Sequence, residues 1–140
     1  KITTLKDEIP EISGAFRAGL NVCLFPESTC GDGKRLLPFK SALMSAVSGT
    51  GAGILPVCVM YKKIDGRKFT ADDFNRIGYF GGMKFAPQFI KVMMLKSLEV
   101  ELQMLEPFDP ENLDRKEIGE RVFSIINTRY ENYLSDMTVS

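Results

Sequence analysis

Apolar positions along the chain change their period several times, and each change marks an expected element. Thr4-Leu-Lys-Asp7 has the spacing of a capping box, and Leu5, Ile9, Ile12 and Phe16 recur at helical intervals, which predicts a first helix up to Gly19. Pro10 weakens its early turns. Asn21 to Phe25 is a short apolar run closed by Pro26 and reads as a buried strand, followed by a polar, glycine-containing loop through Leu37. Pro38 suits the start of a helix whose apolar side is Phe39, Leu43 and Val47, and Ser48-Gly-Thr-Gly-Ala-Gly53 breaks it. Ile54 to Tyr61 is a second apolar strand.

The order strand, loop, helix, strand is that of an α/β unit with a crossover. Beyond it, Asp65-Gly66 and Gly81-Gly82 are turn signals, and Phe85 to Leu95 fits a short helix. Leu98, Val100, Leu102 and Met104 alternate with Glu99, Glu101 and Gln103, the period of a strand with one wet face. Asp109-Pro110 ends the strand region, and from Asp114 onward Ile118, Val122, Ile125, Ile126 and Tyr130 mark one face of a closing helix. No repeat, low-complexity tract or linker divides the chain. The expected fold class is α/β: one domain over residues 1–140, with a mixed sheet holding strands around Val22, Val57 and Val100 and helices on its faces.

Composition narrows the chemistry. Among 140 residues, Lys+Arg 18 balance Asp+Glu 18 and there is no histidine. A neutral chain offers no broad field for nucleic acid, so none is expected as a partner, and a polyanion must be met by a local basic cluster. Without histidine the chain cannot build a Ser-His, Cys-His or His-metal site. Neither a metal nor a cofactor is expected. Cys23, Cys30 and Cys58 are odd in number and lack C-x-x-C spacing, which reads as reduced thiols in a cytoplasmic-type compartment, with Cys23 and Cys58 as small core residues. No apolar stretch reaches the roughly 18 residues of a spanning helix, and no signal-peptide layout precedes the first helix. The chain begins with Lys1, so it is expected to be a piece of a longer protein.

Most of the chemical information lies between Leu24 and Lys40. This loop leaves an expected strand and enters an expected helix, where α/β proteins commonly place ligands. It carries the carboxylate Glu27, the hydroxyls of Ser28 and Thr29, Gly31 and Gly33, and the cations Lys34, Arg35 and Lys40. The cations suit an anionic phosphate, helped by backbone N–H groups at the start of the following helix. The same composition also suits an ordinary surface connection. It is not a Walker A loop, and Gly49-Thr-Gly51-Ala-Gly53 misses the dinucleotide fingerprint because Ile54 follows where a last glycine is needed.

Phe25-Pro-Glu-Ser-Thr29, then Gly31-Asp-Gly33, Leu37-Pro-Phe-Lys40 and Ile54-Leu-Pro-Val57 together resemble the second half of the PlsC-like lysophospholipid acyltransferases. That family shows F-P-E-G-T-R-S, a downstream F-K-x-G and a strand ending in P-V, in the same order and spacing. The resemblance implies acyl transfer from an acyl-CoA or acyl-carrier-protein thioester to the hydroxyl of a lysolipid, at a membrane surface, by a protein peripheral on or attached to the cytoplasmic side. It implies acceptor contacts from Phe25, Pro26, Glu27, Ser28, Thr29, Gly33, Lys34, Arg35 and Lys40, with Glu27 orienting the acceptor. Three departures stand out. Ser28 replaces the usual glycine. Cys30 replaces an arginine that helps hold the acceptor phosphate, so Lys34, Arg35 or Lys40 must supply that charge, or the acceptor is another lysolipid; relatives that acylate ornithine lipids look similar. The family's upstream His-x-x-x-x-Asp motif has no counterpart, so no catalytic residue is assigned within this chain and it is expected to be inert alone, an acceptor-binding half whose truncation surface invites self-association.

Other features admit plainer readings. Lys84 to Lys96 mixes apolar residues with lysines and reads as core, as an interfacial segment, or as the lining of an acyl groove. Glu99 and Glu101 share a strand face as a paired-carboxylate candidate, although a solvated face explains them equally. The rival function is a non-catalytic α/β module that binds a phosphorylated or lipid ligand, or a protein partner.

Overall fold

The computed structural model describes residues 5–138, which leaves the Thr4 capping box outside the described residues. Two compact units make up the chain. One holds the residues up to Ser28 with Pro38–Pro56 and Glu106–Ile125, and the other holds Thr29–Leu37, Val57–Leu105 and the residues from Ile126 onward.

In the first unit, α1 spans Leu5–Arg17 and runs through Pro10. It stops where the sequence says it must: Gly19 takes φ +76°, its N–H donates to Phe16 and that of Leu20 to Ala15, a Schellman closure. The segment Asn21–Phe25 is not a strand. Half-buried and exposed positions alternate along it, but a strand also needs a neighbour for its amides and carbonyls, and no ladder forms here. Cys23 is accordingly exposed rather than in the core. The helix expected from Pro38 is a short 3₁₀ helix, Ser41–Ala46, ended by turns in which Gly49 and Gly51 take positive φ. Its Leu43, Met44 and Ala46 are buried with Val47, Ile118 and Val122. Ser13 Oγ donates to the Ala46 carbonyl at 2.9 Å. Ile54 and Phe108 exchange both backbone hydrogen bonds, and Phe39 meets Phe123 edge-on at 5.2 Å.

In the second unit, β1 (Val57–Ile64), β2 (Arg67–Lys68) and β3 (Leu98–Met104) form a sheet in the order β2-β1-β3. Both pairings are antiparallel, so the combination of sheet and helices is as expected while the crossover unit and the strand around Val22 are not found among the described residues. The hairpin β1-β2 turns on Asp65-Gly66, both at positive φ, the geometry that favours Asp-Gly in two-residue loops. Phe74–Ile77 (α2) and Phe85–Met93 (α3) follow. The core is Cys58, Met60, Ile64, Phe69, Phe74 and Tyr133.

Register decides which face is buried. Cys58 and Met60, both buried, stand beside Gln103 and Glu101, whereas Val57, Val59 and Tyr61 stand beside Met104, Leu102 and Val100. Val100, Leu102 and Met104 on the apolar side of β3 are therefore exposed, while Leu98, beyond the register shift, is half-buried against the core. Glu99 and Glu101 pair with Lys63 and Lys62 at the surface, which is the solvated reading of that carboxylate pair. The last helix, α4 (Arg115–Thr138), contributes to both units. Asp114 starts it: its carboxylate accepts the N–H groups of Lys116 and Glu117, and Glu117 accepts that of Asp114.

Candidate functional site

Phe25, Pro26, Glu27 and Ser28 form a tight turn in the first unit, closed by the Ser28 N–H on the Phe25 carbonyl at 3.0 Å. Proline is well suited to the second position of such a turn, since its φ is preset. Ser28 takes φ +54°, in the left-handed region that favours glycine. That is the position where the sequence departs from F-P-E-G-T. The Phe25 ring is largely exposed, while Glu27 is half-buried. The Lys40 N–H donates to the Pro26 carbonyl at 2.9 Å, so the turn and Lys40 are brought together in this unit.

The helix that follows starts later than expected. The helix after the loop begins only at Ser41, has six residues and has no side-chain cap, and the Lys40 N–H is already used by Pro26.

Thr29, Gly33, Lys34 and Arg35 belong to the second unit. The Asp32 carboxylate accepts the Lys34 N–H at 3.1 Å, an Asx-type turn that sets the backbone at Gly33. Gly33 has φ +75°, and a Cβ there would lie 2.3 Å from the Phe74 ring, so only glycine fits. Its carbonyl accepts the Tyr130 hydroxyl at 2.8 Å. Tyr130 stood in the sequence as one more apolar-face residue of the closing helix; its hydroxyl's role has no sequence signal. Lys34 and Arg35 are exposed and make no ion pair among the described residues.

Of the three thiols, Cys58 is buried, and burial pushes its pKa up, the opposite of what a nucleophile needs. Cys30 is exposed. Clefts in the second unit enclose about 220 Å³ beside Tyr61, Arg129 and Tyr133 and about 230 Å³ beside Tyr79, Phe85 and Phe89, and neither is lined by a residue of the loop. No group of three or more potential metal ligands converges among the described residues.

The Acyltransferase family profile matches residues 3–60, the segment that contains the Phe25–Ser28 turn, Gly33 and Lys40. Over this segment the chain is similar to PlsC-like acyltransferases. A lyso-ornithine lipid O-acyltransferase from Brucella abortus is 29% identical over 117 residues, 78% of this chain and 44% of that protein. The protein of the same name from Rhizobium meliloti is 29% identical over 140 residues, 95% of this chain and 47% of its own length. A 1-acyl-sn-glycerol-3-phosphate acyltransferase from Neisseria gonorrhoeae is 35% identical over 63 residues, 45% of this chain and 25% of that protein. The chain thus spans about half the length of the longest-matching of these acyltransferase relatives. No solved structure matches it significantly.

Proposed function

We propose that this chain is the acceptor-binding part of an enzyme that moves an acyl chain from an acyl-CoA or acyl-carrier-protein thioester to the hydroxyl of a lysolipid. The reading rests on one observation: the ordered set Phe25-Pro-Glu-Ser-Thr29, Gly33, Lys40 falls inside the segment that matches the acyltransferase profile. In this reading the acceptor oxygen attacks the thioester carbonyl, the new C–O ester bond forms as the C–S bond breaks, and the hydroxyl proton ends on the leaving thiol. Glu27 accepts a hydrogen bond from the acceptor and orients it. In the first unit Phe25, Pro26 and Ser28 shape the backbone around it and Lys40 meets its anionic group; Thr29, Gly33, Lys34 and Arg35 of the second unit are assigned to the acceptor by the resemblance in sequence alone.

The proton must first go to a base, and the chain has no histidine to act as one. We therefore assign the base to sequence outside these 140 residues. The exposed apolar side of β3, with Leu102 63% and Met104 72% accessible, supports that division, since a complete domain covers such a face. The missing histidine equally favours a second reading, a module that binds a lysolipid or another phosphorylated ligand without turning it over.

The test is an assay of the enzyme containing this chain, with acyl-CoA and acyl-carrier-protein thioesters offered against lyso-ornithine lipid and lysophosphatidic acid. Transfer to either acceptor supports the proposal, and its absence with every pairing overturns it in favour of the binding module. Within an active enzyme, Glu27→Ala is expected to lower kcat/KM about 100-fold. A wild-type value would remove Glu27 from the site. Lys34→Ala with Arg35→Ala should raise the acceptor KM about tenfold and leave kcat in place.

A further inference from the structure

From Phe74 to Leu98 the sequence carries Arg76, Lys84, Lys91 and Lys96 and neither Asp nor Glu, a run of +4 in a chain of net charge zero. Arg76 is used within the fold, donating to Asp65 at 2.8 Å and lying 3.5 Å from Asp73. The three lysines are exposed and make no ion pair among the described residues. Between them lies α3.

The side of α3 turned to its own unit is not its most apolar one. Gln88, 4% exposed, donates from Nε2 to the carbonyls of Asn75 and Arg76 at 3.1 and 3.0 Å, which clips α3 to the end of α2, and Val92 one turn on is half-buried. Phe85, Phe89 and Met93 recur at intervals of four on another side, with Ile90 beside them, and are 62, 52, 69 and 57% exposed in that order. Tyr79 meets Phe85 edge-on at 5.6 Å and Phe85 stacks on Phe89 at 5.7 Å, so these rings lean on one another rather than on the core. Pro87 lies in the first turn, where its missing N–H costs the helix nothing. Most of Lys84 to Lys96 thus lies outside the core, with Gln88 and Leu95 as its inward contacts.

We propose that the exposed face of α3, with Phe85, Phe89, Ile90 and Met93, docks on an anionic lipid surface, the helix lying in the plane of the interface. A bilayer boundary supplies both things this face lacks: an apolar phase for the rings and the methionine, and phosphates for Lys84, Lys91 and Lys96, whose long stems let their charges stay at headgroup level. Nine residues are too few to span, so the contact is peripheral. A second copy of the chain fits poorly, because a two-fold contact sets the same lysines against each other. The shape and charge of the face stand alone; the choice of a lipid surface over an acidic soluble protein rests on the reading of the chain as part of a lysolipid acyltransferase.

Flotation of the 140-residue chain with vesicles tests this directly. The chain is expected to float with vesicles of equal parts phosphatidylcholine and phosphatidylglycerol, and less with phosphatidylcholine alone. Phe89→Asp with Met93→Asp, both at exposed positions and checked for fold by circular dichroism, should weaken binding at least tenfold. Each lysine changed to Ala should cost about fivefold on the anionic vesicles. Failure of the chain to float with anionic vesicles, or floating of the double aspartate variant like wild type, overturns the proposal. So does binding insensitive to all three lysines. Transfer to a monomeric short-chain lysolipid by the enzyme containing this chain separates the two ideas: transfer without vesicle binding removes the docking face and keeps the function, and vesicle binding without transfer does the reverse.

Discussion

The hydroxyl of Tyr130 donates to the carbonyl of Gly33 at 2.8 Å, joining α4 to the glycine of the candidate loop across 97 positions of sequence. On the other side of the same glycine, the Phe74 ring fills the space a Cβ needs. Beside the Asp32 turn, the backbone at Gly33 is therefore held by two residues from outside the motif. Gly33→Ala combines a positive φ with a ring at 2.3 Å and should cost about 2–3 kcal/mol. Tyr130→Phe should cost about 1 kcal/mol. Urea denaturation midpoints of the two variants check both, and equal midpoints for Gly33→Ala and wild type would contradict the geometry.

Ser28 holds φ +54°. Glycine adopts that conformation without the Cβ penalty, so Ser28→Gly should stabilise the first unit by about 0.5–1 kcal/mol. A lower thermal midpoint for this variant would mean that the serine side chain contributes more than its backbone costs.

Tyr133 is buried, and its hydroxyl accepts the Tyr61 N–H at 3.1 Å and donates to the Tyr61 carbonyl at 2.8 Å, next to the irregular register between Tyr61 and Lys63. Burial pushes its pKa up from 10.0 to about 12. A phenol whose pKa is raised in the folded state holds its proton longer there than in the unfolded chain. Its contribution is complete below pH 10 and is lost as pH rises toward 12. Tyr133→Phe should therefore lower stability by about 1–2 kcal/mol at neutral pH and flatten the alkaline limb of a stability–pH curve. An unchanged alkaline limb would show that Tyr133 does not titrate there.

Asp73 has a buried side chain that accepts Arg67 Nη1 at 2.7 Å, the Thr70 hydroxyl at 2.8 Å and the Thr70 N–H at 3.0 Å. The Arg67 guanidinium, first, and then Thr70 hold its carboxyl well below the usual carboxylate range. With the folded pKa depressed, the stability it contributes is present above the ordinary value of 3.8 and is lost as pH falls below it. Asp73→Asn should cost about 2 kcal/mol at neutral pH and less in acid, read as the gap between the two urea midpoints across pH. A gap that does not narrow in acid would contradict this.

Local signals carried the elements they could carry. Gly19 ends α1, Asp65-Gly66 makes the hairpin, the alternation from Leu98 makes β3, and Asp114 opens the closing helix, because each of these is decided by a few neighbouring residues. The apolar run around Val22 did not become a strand, since apolarity cannot supply the neighbouring backbone that a ladder needs. Nor did the period of β3 say which face would be covered, because covering is done by other elements.

The loop divides in the same way. Sequence alone determined its chemistry, a carboxylate, two hydroxyls, glycines and three cations in an order shared with an acyltransferase family, and it fixed the absence of histidine. Only the tertiary structure decided how the backbone is held: Ser28 left-handed, Pro26 bonded to Lys40, and Gly33 between Tyr130 and Phe74. It also turned Phe85, Phe89 and Met93 outward while a glutamine took the inner side of α3. Side-chain identity is written position by position, whereas hydrogen-bond partners and burial depend on residues brought together only by the fold.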